Sequence, residues 1–305
     1  MAFRSEPAKP RALVTGCNGF TGRYVMAELQ AAGYEVIGLA HDEDAAPEGV
    51  LRANLLDRDA VRRAVAEARA EAVVHLAAIS FVAHGAVNEI YGTNIVGTRN
   101  LLDALASGDL VPRVVVLASS ANIYGNAEVE PITEETSPAP ANDYAVSKLA
   151  MECMARLWMD RLPIVIARPF NYTGVGQSES FLIPKIVAHF RRRAESVELG
   201  NIEVSRDFSD VRDVARVYAA LVAAAPAGRV INICSGVAHS LKDVLESMTE
   251  IAGHSIEVKV NPAFVRNNDV MRLVGSTARL RQLLGMSPAI PLRQTLEWMY
   301  AAARR

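Results

Sequence analysis

Apolar runs rich in Val, Ile and Leu recur through the first two thirds of the chain, and segments with helical spacing separate them. In order they are RALVTG, a helix from about Phe20, YEVIGLA, a helix from about Asp57, EAVVHLAA, a long helix over Asn88 to Ala106, RVVVLASS, a helix from about Asp143 to Met159, and LPIVIARPF. A strand that is apolar at nearly every position has both faces covered, the condition of a parallel sheet flanked by helices. The first half of the chain is therefore expected to be a doubly wound α/β domain.

After Pro169 the pattern loosens into NYTGVGQSES, a helix around Ile183 to Arg193, the strand-like DFSDVRD, a helix over Val211 to Ala224, and RVINICSG. The last run is expected to return to the main sheet. Residues 1–170 with 210–235 then form one domain, and residues 171–209 with 236–305 form a smaller mixed α/β C-terminal substrate lobe. The two are interleaved in sequence, with a cleft expected between them.

Composition narrows the partners. The 305 residues are 50% hydrophobic and 22% charged, with a formal net charge of −2 and a pI near 6.3, so there is no electrostatic footprint for nucleic acid or an anionic membrane. No apolar run reaches the roughly 18 residues of a membrane span, and no targeting segment is legible, so a cytoplasmic protein is expected. Three widely spaced cysteines, Cys17, Cys153 and Cys234, argue against a disulfide framework, and neither they nor the six histidines show metal-ligand spacing, so no metal is expected. His75, inside AVVHLAA, reads as a residue of a buried strand.

Candidate chemistry begins at TGCNGFTG, residues 15 to 22, which follows the first strand and opens the first helix. Glycines at 16, 19 and 22 allow a tight turn, a close approach of backbone to a pyrophosphate and close helix packing, while the helix N-terminus offers N–H groups to the anion. Asn18 and Phe20 share the loop. At the end of the second strand, GLAHDEDA supplies His41 and Asp42 with no Arg or Lys. Carboxylates suit a ribose hydroxyl and repel a 2′-phosphate, so NAD(H) is favoured; His41 keeps NADP(H) possible. DYAVSK places Tyr144 and Lys148 at i and i+4 on one helix face. An ammonium there is expected to lower the phenol's pKa from its reference of about 10. ASSANIYG, residues 118 to 125, reads alone as a strand terminus with turn-forming residues.

Together TGxxGxxG, Asn94 within TNIVGTRNLL, Ser120, Tyr144 and Lys148 resemble the extended short-chain dehydrogenase/reductase family, in its nucleotide-sugar branch, over essentially the whole chain. The resemblance implies a Rossmann-type sheet. It also implies that Ser120 and Tyr144 hydrogen-bond the reacting oxygen, that Tyr144 is the general acid or base, and that Lys148 holds the nicotinamide ribose. The cofactor set it implies includes Asn54 and Leu55 near the adenine, with Asn54 standing where the family commonly has Asp. Leu76, Ala77 and Ala78 after the fourth strand, Asn94 and Pro169 complete that set.

ARPFNYTGVGQ resembles the branch's RxFN segment, which puts Asn171 on the diphosphate. SRDFSDVRD resembles its RDFxxVxD segment, which puts Arg206 near the nucleotide, while Ser209 or Asp210 caps a helix. FVRNND occupies the place of its Arg-Pro-x-Asp segment, with Arg266 and Asp269 as contacts and Asn267 in place of proline. Lys185 reads as a phosphate contact or as a solvated helix lysine. Ser80 and His84, with Phe81 between them, are expected to line the sugar pocket together with Ser120 and Asn122.

Within this branch, dehydratases carry an acid pair directly after the Ser or Thr. Here Ala121 and Asn122 stand at those positions, and neither exchanges a proton at neutral pH. The resemblance is strongest to the group that reduces GDP-4-dehydro-6-deoxy-D-mannose to GDP-D-rhamnose, with a nucleotide-sugar 4-epimerase as the alternative. A cofactor-sensing scaffold on the same fold is the non-enzymatic one. Members commonly form homodimers through the two long helices, here about residues 86 to 106 and 143 to 160.

Overall fold

The structure is a computed structural model that describes residues 8–41, 49–80, 87–262 and 271–302. Asp42, Phe81, His84, Arg266, Asn267 and Asp269 lie outside the described residues. A seven-stranded sheet has the order β10-β6-β5-β4-β1-β2-β3. Its members are β1 (Arg11–Thr15), β2 (Glu35–Ala40), β3 (Leu51–Arg52), β4 (Ala72–His75), β5 (Val114–Ala118), β6 (Ile164–Pro169) and β10 (Val230–Ile233). The register pairs Leu13 with Ile37 and Val73, and Val74 with Val116, all parallel. This is the Rossmann-like α/β sheet expected from the apolar runs, and RVINICSG joins it as its edge strand.

The chain divides into two compact units. The first comprises Met1–Ala118, Ala150–Ile166 and Tyr218–Arg229. The central strands β1, β4 and β5 are closed to water along their middles: Leu13, Val14, Val73, Val74, Val115 and Val116 are fully buried. Each such side chain contributes roughly 1.5–3 kcal/mol on transfer from water. Helix α1 (Phe20–Ala31) follows β1, and α2 (Arg58–Ala68) is capped by Asp57, whose carboxylate accepts from Asp59 N and Ala60 N at 3.0 Å each.

The long helix expected over Asn88 to Ala106 is interrupted. It runs as α3 (Val87–Tyr91), a π-helical stretch Gly92–Gly97, and α4 (Thr98–Ser107). Periodicity alone does not reveal the extra residue of a π-turn. Its physical origin is tertiary: Gly97 abuts Leu55, whose Cβ would lie 2.9 Å from a Cβ at residue 97, and Asn94 turns inward to bond the backbone after β4. Such single π-turns are frequent at functional sites.

The second unit comprises Ser119–Leu149, Ala167–Val217 and Val230–Arg305. A mixed four-stranded sheet is organised by β9 (Ser205–Asp210), which pairs antiparallel with β11 (Ala238–Ser240) and parallel with β13 (Arg272–Leu273) and β7 (Asn171–Thr173). Helices α6 (Leu182–Arg191), α8 (Leu241–Ala252) and α10 (Leu292–Ala301) share a core of Ile186, Phe190, Phe208, Val244, Met248 and Leu296. A reciprocal capping box between Ser240 and Asp243 starts α8, and Gly253 ends it in the left-handed region. Helices α5 (Asp143–Arg156) and α7 (Val211–Ala224) run through both units.

Candidate active site

The turn between β1 and α1 is built for close approach. Gly16 has φ +68°, and a Cβ there would lie 2.8 Å from Ala77 N; at Gly22 a Cβ would lie 2.2 Å from Gly16 O. No side chain beyond hydrogen fits at either position. The N-cap of α1 is Gly19, which offers no side chain to the first N–H groups, and the first turn holds no acid. Those donors and the positive end of the helix dipole suit a pyrophosphate, so the residues present fit a dinucleotide. Phe20 and Tyr24 stack edge to face at 5.8 Å on that first turn, Asn18 is half-buried, and His41 is exposed at the end of β2.

Asn54 Oδ1 accepts from Leu56 N at 2.9 Å, closing a local turn that presents Leu55, itself buried, towards Gly97. The carbonyl half of the amide is thus used locally, and an adenine ring nitrogen would call on its NH2 half. After β4, Leu76, Ala77 and Ala78 are half-buried and Ser80 is exposed. Asn94 is buried and clamps this segment from the π-turn, accepting from Ile79 N at 2.9 Å and donating to Ile79 O at 3.1 Å.

In the second unit, Ser120 ends the run from β5 in extended conformation and caps a short 3₁₀ helix, Ala121–Tyr124, by accepting from Asn122 N at 3.2 Å. Capping does not exhaust this residue, because Ser120 is also hydrogen-bonded to the Tyr144 hydroxyl. Lys148, one helical turn along α5 and buried, has its Nζ 5.9 Å from the Tyr144 ring centroid. The three residues singled out in the sequence are thus brought together.

The expected effect of Lys148 is not observed. Burial, reinforced by the nearby Tyr172 phenol, pushes the Tyr144 pKa well above its ordinary value, and the Ser120 hydrogen bond only partly opposes this. A phenolate here would lose more hydration than the surroundings return, so the neutral form is held across neutral pH. Tyr172, on β7, is a member of this cluster that sequence reasoning missed; nothing in NYT marks a phenol as facing another one. Beside Ser120, Ala121 is buried in an apolar cluster with Tyr124, Phe170 and Cys234, and Asn122 is exposed.

A buried polar network underlies the 3₁₀ turn. Arg168, 2% exposed, donates through Nη1 to Tyr124 Oη at 2.8 Å and Glu134 O at 3.3 Å. Tyr124 Oη donates to Asn232 Oδ1 at 2.8 Å, and Glu134 Oε1 accepts from Asn232 N at 2.9 Å. Burial raises the Tyr124 pKa to about 12 against the pull of Arg168. The sequence displayed these residues only as a loop and strand ends.

The expected substrate contacts take varied places. Asn171 is exposed at the start of β7, and Pro169 is buried at the end of β6. Lys185 Nζ donates to Glu198 O at 2.7 Å, which supports a helix lysine held by a carbonyl. Arg206 donates to Ser205 O at 2.9 Å and Met271 O at 3.4 Å. Its neighbour Asp207, fully buried, organises the turn after β10 by accepting from Ser235 N at 2.8 Å, Ser235 Oγ at 2.6 Å and Gly236 N at 2.8 Å. Asp210 accepts from Arg212 N at 2.8 Å at the start of α7 and from Thr295 Oγ1 at 2.7 Å. Ser209 Oγ is buried with no hydrogen-bond partner among the described residues, so the capping role falls to Asp210.

Known proteins resemble this chain in sequence and fold. The GDP-6-deoxy-D-talose 4-dehydrogenase of Aggregatibacter actinomycetemcomitans is 32% identical over 94% of this chain and 96% of its own length. The GDP-6-deoxy-D-mannose reductase of Pseudomonas aeruginosa is 35% identical over 94% of each. Among solved structures, RMD from Pseudomonas aeruginosa complexed with NADPH superposes with a TM-score of 0.85 at 34% identity, covering 96% of this chain and 98% of that one. A Burkholderia cenocepacia protein whose description gives it only as a candidate epimerase superposes at 0.91 with 54% identity, covering 96% and 99%. The pattern of the NAD dependent epimerase/dehydratase family matches residues 12–234. With the glycine turn, the inward Asn94 and the Ser120–Tyr144–Lys148 cluster in place, the chain belongs to that NAD dependent epimerase/dehydratase family and is an NAD(P)-dependent enzyme of nucleotide-sugar chemistry.

Proposed function

We propose that this protein reduces the C4 ketone of a GDP-linked 4-keto-6-deoxy sugar, GDP-4-dehydro-6-deoxy-D-mannose, to GDP-D-rhamnose. The observation that carries the reading is Tyr144 hydrogen-bonded to Ser120 beside Lys148, with no acid at Ala121 or Asn122. Two relatives named for 6-deoxy GDP-hexoses with C4 chemistry support it. Their sugars, 6-deoxytalose and 6-deoxymannose, differ only in configuration at C4, so one 4-ketone stands behind both.

When bound, a reduced dinucleotide would be the source of the hydride that C4 receives. Ser120 donates a hydrogen bond to the carbonyl oxygen and polarises it. Tyr144 gives its proton to that oxygen as negative charge develops, and the alcohol forms with atoms and charge balanced. The phenol is protonated at neutral pH and so can act as the general acid, burial opposes its ionisation, and recharging draws a proton from solvent. Lys148 would hold the nicotinamide ribose, and the glycine turn with α1 would hold the pyrophosphate. Ala121 and Asn122 leave no group to remove a C5 proton and expel a hydroxyl, which sets aside dehydration.

The dinucleotide-binding domain in this reading is 1–170 with 210–235, and the substrate lobe is 171–209 with 236–305. Asn171, Lys185, Arg206, Arg266 and Asp269 are its substrate contacts, joined by Ser80, His84, Ser120 and Asn122 of the dinucleotide-binding domain. The protein acts as a cytoplasmic homodimer, in keeping with the exposed Val87 and Val96 on the first long helix and Val146 on the second, which are 41%, 48% and 38% exposed. No described helix is long and apolar enough to cross a membrane.

A screen of NADH and NADPH oxidation across GDP-, UDP-, CDP- and dTDP-4-keto-6-deoxy sugars tests the proposal. Oxidation with the GDP sugar is expected. Tightly held NAD with turnover and no net consumption would instead identify an epimerase.

A further inference from the structure

Inside the first unit a closed circuit of hydrogen bonds passes through His75, which is 3% exposed. Ala77 N–H donates to Thr15 Oγ1 at 3.2 Å, and Thr15 Oγ1 lies 2.7 Å from His75 Nδ1. On the far side of the ring, His75 Nε2 lies 2.9 Å from Thr98 Oγ1, and Thr98 Oγ1 donates to Asn94 O at 2.8 Å. The Asn94 side chain then closes on Ile79 N and O, two residues beyond Ala77.

The circuit has one direction that leaves every member satisfied. The single proton of Thr98 is spent on Asn94 O, so its oxygen accepts from His75, and Nε2 carries the ring proton. Nδ1 is then an acceptor and takes the Thr15 proton, while the Thr15 oxygen takes the Ala77 N–H. In the other tautomer the Thr15 proton loses this acceptor and Asn94 O loses its donor. A neutral imidazole is the side chain that is acceptor on one edge and donor on the other in a single rigid plane.

We propose that His75 is a positioning residue for the dinucleotide: its Nε2–H tautomer ties Thr15, the residue before Gly16, to the π-turn of Asn94, and so holds the glycine turn and the Leu76–Ile79 segment at their working separation. The proposal rests on the dinucleotide reading of that turn. The separation matters because a Cβ at Gly16 would already lie 2.8 Å from Ala77 N, leaving these two backbone segments no slack. The π-turn supports the same role, since it brings Asn94 O to Thr98 and the Asn94 side chain to Ile79 from a single residue. None of these groups need touch the sugar, so the effect belongs to cofactor binding and not to the chemical step.

The test is direct binding of NADPH and NADH, together with steady-state kinetics and thermal melting, for wild type, Thr98→Val, Thr98→Ser and His75→Phe. Thr98→Val keeps the shape of a residue only 1% exposed and removes both hydrogen bonds of its hydroxyl, so it carries the test if His75→Phe does not fold. Expected are a weakening of dinucleotide binding of about tenfold or more in Thr98→Val, and a matching rise in the KM for cofactor. The KM for sugar and kcat at saturating cofactor should stay within about twofold, and Thr98→Ser should restore binding. Folded Thr98→Val that binds both dinucleotides like wild type, or whose loss falls on kcat, would overturn the proposal. Wild type that binds neither dinucleotide would overturn the dinucleotide reading itself, and the positioning role with it.

Discussion

In the proposed reduction Tyr144 is the proton donor, and its surroundings raise its pKa. Replacing it with Phe removes the proton donor and is expected to lower kcat by about 10²–10⁴ while leaving NADPH affinity within a few-fold, as measured by turnover and dinucleotide titration. Its raised pKa also has a stability consequence with a definite sign. Below pH 10 the phenol is neutral in both folded and unfolded chains. Above it the unfolded phenol ionises and the buried one resists, so the folded state loses ground as pH rises. Tyr124, raised to about 12, adds to this. Absorbance of tyrosinate during alkaline titration should therefore show a fraction of the eight tyrosines ionising only with unfolding. Ser120, Tyr144 and Lys148 were legible because motif and spacing are local. The sign of the tyrosine shift was not, because burial and the phenol of Tyr172 come from distant parts of the chain.

Individual elements differ in how much of their form is local. Helix α1 was readable from its glycines, and their strictness can be tested: Gly22→Ala puts a Cβ 2.2 Å from Gly16 O, backbone that cannot yield without opening the turn. Loss of dinucleotide binding together with a lowered melting temperature is expected. Helices α2 and α4 are pinned by Asp103, which accepts from Arg58 at 2.8 Å and Arg62 at 3.0 Å. Arg58 bonding holds the Asp103 pKa below its usual range despite some burial. That stabilisation is present above the unfolded carboxylate pKa and disappears as pH falls through the depressed folded value. With both arginines about half exposed to solvent, Asp103→Asn should cost about 1 kcal/mol at neutral pH, and the deficit relative to wild type should vanish in acid, as urea unfolding would show. The π-turn at Gly92–Gly97 escaped the sequence because it depends on what Asn94 and Gly97 meet across the fold.

At the scale of the whole molecule, the seven-stranded sheet was the most legible feature, since continuous apolar strands carry their own signal. The C-terminal lobe was not. Its strands are short and mixed in direction, and they are arranged by buried polar residues such as Asp207, whose carboxylate gathers Ser235 and Gly236. The network of Arg168, Tyr124, Asn232 and Glu134 likewise joins residues up to 108 positions apart. Removing one member should be felt globally: Tyr124→Phe leaves Asn232 Oδ1 without its donor and is expected to cost roughly 1–3 kcal/mol in thermal or denaturant unfolding.

The central claim, a reduction of a GDP-linked 4-ketone, is tested most directly by following reduced cofactor and sugar together in one reaction with GDP-4-dehydro-6-deoxy-D-mannose. NADPH or NADH should disappear in equal amount to the ketone, with GDP-D-rhamnose identified by NMR from the coupling of its new C4 proton. Conversion of sugar with no net loss of reduced cofactor, or no conversion at all by folded protein that binds the dinucleotide, would contradict it.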